Sequence, residues 1–112
     1  MNCSMIRISQ ISFAGCALLF LLSIYTRADD SASVFNAKCA MCHGADGSGN
    51  TPAGKAMKAR DFASPEVQSE TDAQLSEIVT NGKNKMPAYK GKLTDDQIKG
   101  LVAYIRELAK KK

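Results

Sequence analysis

Hydrophobic and polar positions divide this chain into two unlike stretches. Residues 11–25 read Ile-Ser-Phe-Ala-Gly-Cys-Ala-Leu-Leu-Phe-Leu-Leu-Ser-Ile-Tyr, an apolar run without a charge. Arg7 and the amino terminus place positive charge ahead of it, and Ala28 followed by Asp29-Asp30 closes it. That order predicts a secretory signal peptide over residues 1–28, cut after Ala28, with one domain over residues 29–112. Fifteen apolar residues fall short of the ~20 that a membrane span needs, so an uncleaved anchor is the alternative. Phe13-Ala14-Gly15-Cys16 has a faint look of a lipoprotein box, but most of the apolar run follows Cys16 instead of preceding it.

Beyond residue 30 the apolar positions fall at helical spacing. Ser31 is placed to cap a short helix carrying Val34, Phe35 and Lys38 into Cys39. Residues 44–54 are polar and rich in glycine, a turn signal. A second irregular stretch or short turn is expected over residues 61–65. Thr71-Asp72-Ala73-Gln74 is a capping box, in which the threonine side chain and the glutamine three residues on each take a free backbone N–H. It opens a helix with Leu75, Ile78 and Val79 on one face, and Gly82 is placed to stop it. Thr94-Asp95-Asp96-Gln97 is a second capping box. It opens the longest helix, with Ile98, Leu101, Val102, Ile105 and Leu108 at helical spacing and Tyr104 alongside. Lys110, Lys111 and Lys112 suit the negative end of that helix's dipole. No segment alternates β-branched and aromatic residues, so no strand is expected. The pattern predicts an all-α domain of three to four helices joined by loops too long to be mere connections.

Composition then exposes a shortage. Removing 28 residues from 112 leaves 84, with only Phe35, Phe62, Tyr89 and Tyr104 as aromatics. A chain this short builds a meagre core unaided. The same cut removes Arg7 and Arg27, leaving 13 basic residues against 11 acidic ones, a formal charge of +2. Nucleic acid is not expected as a partner at that charge in an exported protein. Cys3 and Cys16 also leave, so Cys39 and Cys42 are the two thiols remaining.

Those thiols carry the chemistry. Cys39-Ala40-Met41-Cys42-His43 reads C-x-x-C-H, the attachment signature of c-type haem. Two thiols three positions apart can each bond one porphyrin vinyl group, and the adjacent imidazole can take an axial position on iron. A thioredoxin-like C-x-x-C pair is a chemical alternative, but it calls for a βαβ pattern that is missing. Half of a zinc site is another, without a second half in view. A haem-free pair of buried thiols beside a surface histidine is the plainest. A covalently held porphyrin would supply both the missing apolar bulk and a reason for the long loops.

The candidate second ligand is Met86, which sits in the lysine-rich loop over residues 81–92 with no helical face to join. A soft thioether suits haem iron opposite histidine. The competing role is a gap-filler under the loop, and the competing methionines are Met41 and Met57. Lys83, Lys85, Lys90 and Lys92 flank Met86. They either solvate the loop or form a basic rim that steers an acidic redox partner.

Taken together, Cys39 to His43, the Met86-Pro87 pair and the apolar last helix make residues 31–109 resemble a class I cytochrome c. The glycine-rich segment over residues 44–54 is similar to small bacterial members more than to the mitochondrial protein. The resemblance implies a small cytochrome c fold wrapped around one covalent haem c, with His43 and Met86 on iron. It implies that the first helix, through Phe35, crosses the last near Leu101 and Tyr104. It also implies that the carbonyl of Pro52 accepts a hydrogen bond from His43, which would orient the ring and raise its basicity. The expected activity is that of a monomeric, periplasmic or otherwise exported electron carrier that meets membranes only through its redox partners. The rival is a haem enzyme or gas sensor with an open or labile sixth iron position.

Overall fold

The computed structural model describes residues 30–112, which form helices joined by loops. The expected signal peptide, residues 1–28 with its cleavage point after Ala28, lies outside the described residues. Residues 30–38 are helical and are called α1 here. Then follow α2 (Ala40–His43), α3 (Pro52–Met57), α4 (Pro65–Gln68), α5 (Asp72–Asn81) and α6 (Asp95–Lys110). Among the described residues no strand forms, and pairing is limited to isolated bridges at Lys83–Met86 and Lys90–Leu93. The all-α class is as expected, with more helical segments because two are single turns or little more.

Both long capping boxes form. The Thr71 side chain accepts the Gln74 N–H at 3.1 Å while the Gln74 side chain accepts the Thr71 N–H at 2.8 Å. The Thr94–Gln97 pair repeats this at 3.1 and 2.9 Å. Gly82 ends α5 at φ +75°, which a residue with a Cβ rarely adopts. The two short helices use the same device with proline. Thr51 and Ser64 accept from the N–H groups of Gly54 and Val67, and Pro52 and Pro65 take the first helical position. Residues 44–54 are thus not all turn. Ser31 does not cap α1, because residue 30 is itself helical and Ser31 lies inside the helix.

The core is one cluster in which α6 supplies Ile98, Leu101, Val102, Ile105 and Leu108, the apolar face read from spacing. Leu75 and Val79 of α5 and Val67 of α4 pack against it, and Phe35 of α1 joins at 1% exposure. Phe35 meets Tyr104 with ring centroids 5.2 Å apart, so α1 crosses α6 where the resemblance placed it. The crossing is close: a Cβ on Gly100 would stand 2.5 Å from the Ser31 hydroxyl oxygen. Arg106 fastens the far side of α6 by donating to the Glu70 carbonyl at 2.5 Å and to Asp72 at 3.0 Å.

Candidate haem-attachment site

Cys39, Cys42 and His43 share the turn that leaves α1 and forms α2. The Cys39 N–H continues the helix by donating to the Phe35 carbonyl at 2.8 Å, and the His43 N–H donates to the Cys39 carbonyl at 2.9 Å. Helical spacing therefore brings both thiols and the imidazole around one turn, half-buried, with the sulfurs unpaired. Burial, reinforced by the neighbouring Cys42, raises the Cys39 pKa and keeps it a thiol despite Lys38. Burial and the charge of Arg60 both lower the His43 pKa. Both effects favour the neutral imidazole, the form that can ligate a metal.

Residues from two neighbouring segments hold this turn. The Thr51 hydroxyl lies within donating distance of the Met41 carbonyl at 2.8 Å and the Cys42 carbonyl at 3.0 Å, and accepts the Gly54 N–H at 2.9 Å. Gly54 comes so close that a Cβ there would overlap the carbonyl oxygens of Cys42 and Gly49. The Gly49 N–H donates to the His43 carbonyl at 2.7 Å. Phe62 stacks on the His43 ring, centroids 4.8 Å apart and planes 28° apart. A Cβ on Gly47, at φ +74°, would strike that Phe62 ring. None of these supports was named from the sequence. Thr51 had a signal, since Thr-Pro marks a helix start, but Gly54 and Phe62 act only through distant partners.

The loop that carries Met86 is tight. Lys83 and Met86 exchange backbone hydrogen bonds of 3.3 and 2.9 Å around Asn84, which stands at φ +54°. Gly82 lies against the Met86 carbonyl, where a Cβ would come within 2.6 Å. The Tyr89 and Lys90 N–H groups donate to the Val79 and Thr80 carbonyls of α5 at 3.1 and 2.9 Å. Met86 is half-buried and packs against the core, whereas Met41 is 78% exposed and Met57 49% exposed. Pro52 takes the first position of α3, and its carbonyl accepts no hydrogen bond from His43. Instead Nδ1 of His43 is buried without a hydrogen-bond partner.

Two free thiols, an imidazole whose neutral form is favoured, and a buried ring nitrogen that is the one unpartnered buried side-chain polar atom among the described residues fit a covalently attached haem. The zinc alternative fares worse: among the described residues no group of three or more His, Cys, Asp and Glu could hold a metal ion. The thiol-redox alternative finds no strands among the described residues.

Such a turn, at the edge of a small helical domain, defines a c-type cytochrome. A family model described as cytochrome c oxidase, cbb3-type, subunit III matches residues 26–105. Cytochrome c6 of Nostoc sp. strain PCC 7120 is 39% identical over 103 residues, covering 88% of this chain and 90% of that protein. Cytochrome c6 of Leptolyngbya boryana is 41% identical over 78 residues, covering 70% of this chain and 88% of that one. Among solved structures, the KustC0563 c-type cytochrome superposes with a TM-score of 0.64 at 34% identity, over 70% of this chain and 96% of that chain. The chain belongs to the cytochrome c family, as a small single-haem class I c-type cytochrome. It is an electron carrier with one covalently attached haem c.

Proposed function

We propose that this cytochrome passes single electrons through a haem bonded to Cys39 and Cys42 and ligated by His43 and Met86. The observation that carries the ligand assignment is the half-buried position of Met86 against the core, beside two more exposed alternatives. With His43 and Met86 holding the iron, the methionine would raise the reduction potential and no position would be left for a substrate. The chain works outside the cytoplasm as a monomer after cleavage near Ala28. Among the described residues no helix is long and apolar enough to cross a membrane.

Docking to acidic redox partners uses the lysines around Met86. Lys90 and Lys92 extend from the loop, while Lys83 lies 3.9 Å from Glu70 and Lys85 reaches the Ala56 carbonyl at 3.5 Å. Electron transfer should slow as salt rises, because charges are screened over ~10 Å at 0.1 M ionic strength. A stopped-flow rate indifferent to salt would reduce these lysines to solvation.

The ligand is tested by Met86→Ala beside Met57→Ala. In Met86→Ala the haem should stay attached, carbon monoxide should bind the reduced protein readily, and the potential should fall. Met57→Ala should leave a low-spin spectrum unchanged. The reverse pattern would assign iron to Met57, and free binding of carbon monoxide by the wild type would favour the enzyme or sensor.

A further inference from the structure

One side chain joins the two parts of the molecule that must face each other across a haem. Tyr89 lies three residues beyond Met86. Its N–H donates to the Val79 carbonyl, and its own carbonyl accepts from the N–H groups of Lys92 at 2.9 Å and Leu93 at 3.1 Å. Its ring is half-buried against the core cluster. Its hydroxyl crosses to another segment, donating to the Lys38 carbonyl at 3.1 Å. Lys38 is the last residue of α1 and is bonded directly to Cys39.

The consequence is mechanical. Backbone bonds fix the base of the Met86 loop to α5, but they do not fix it relative to the attachment turn. Lys85 makes one long contact to the Ala56 carbonyl, at 3.5 Å and on an exposed side chain. The Tyr89 link is shorter, at 3.1 Å and likewise exposed at the hydroxyl, but its ring is half-buried against the core and it ends at the residue next to Cys39. A phenol also has few rotatable bonds, so it transmits position where a lysine would yield.

We propose that Tyr89 is a positioning residue that holds the Met86 loop against the attachment turn and so limits how often the methionine leaves iron. This rests on Met86 being the ligand. The loop opens when the Tyr89–Lys38 bond and the methionine–iron bond break together. Without the hydroxyl, opening should become easier by the worth of one hydrogen bond, about 5-fold in population.

The test uses the haem-loaded protein in its ferric form. Cyanide must displace methionine to bind, so its binding rate reads loop opening. Four proteins are compared: wild type, Tyr89→Phe, Tyr104→Phe and Met86→Ala. Tyr89→Phe keeps the ring and removes only the hydroxyl. It should bind cyanide about 5-fold faster than wild type, and lose the methionine–iron charge-transfer band at lower pH. Tyr104→Phe, on the α1–α6 crossing, should match wild type in both. Tyr89→Phe matching wild type, or Tyr104→Phe accelerating equally, overturns the assignment. Met86→Ala separates the two readings: if it binds cyanide no faster than wild type, the ligand assignment has failed; if it binds much faster while Tyr89→Phe does not, only the strut has failed.

Discussion

The α5–α6 pair and the attachment turn with α3 are built on opposite plans. In the first, order runs along the chain. Each helix starts at its own capping box and presents apolar residues at its own period, and the two faces pack on each other. In the second, order runs across the chain. α2 has four residues and no side-chain cap, and α3 has six residues. Their geometry comes from Thr51 reaching back ten residues to Met41, and from Gly54 pressed on the Cys42 carbonyl. Helices this short are not stable on their own. The difference separates a part that can lose any one contact and stay helical from a part that loses its shape with one atom.

Gly54→Ala should break that second plan most severely. The added methyl meets backbone oxygen on two sides, which cannot rotate away, so α2 and α3 must part. A loss of roughly 3 kcal/mol is expected from such overpacking, with a drop in haem-loaded yield measured by absorbance per polypeptide. A variant as stable and as well loaded as wild type would dissolve the contrast. Thr51→Val keeps the shape and removes the hydroxyl that serves Met41, Cys42 and Gly54. It should cost about 2 kcal/mol in chemical denaturation, at the upper end for a helix cap because two carbonyls lose their donor as well. Thr94→Ala strikes the same kind of cap on the self-supporting side. Only one end of a 16-residue helix frays, so about 1 kcal/mol should be lost. If Thr94→Ala proves costlier than Thr51→Val, the capped helices are the fragile region and the comparison inverts.

The same division decides what could be read from the sequence. The capping boxes, the Gly82 stop and the α6 face are local, and the structure contains all of them. The attachment motif is local too, since its chemistry is written in five consecutive residues. The α3 helix was hidden because Gly54 looks like a turn residue until Cys42 stands beside it. Ser31 looked like a cap because serine usually is one at a helix start, whereas here it faces Gly100 across a helix crossing. Phe62 and Tyr89 were legible as apolar bulk. Their partners, His43 and the Lys38 carbonyl, lie 19 and 51 positions away, and no pattern along the chain announces them.

The close approach of Ser31 to Gly100 also bears on the order in which the chain folds. The two residues stand 69 positions apart. Bringing such distant points together costs roughly 4 kcal/mol of chain entropy beyond a constant, before any packing is gained. The α5–α6 contact closes a far shorter loop. Local contacts of that kind form fast, and long-range closures lag. The α6 amides facing α5 should therefore gain protection in pulse-labelled hydrogen exchange before those of α1, leaving the segment that leads into Cys39 among the last parts of the domain to dock.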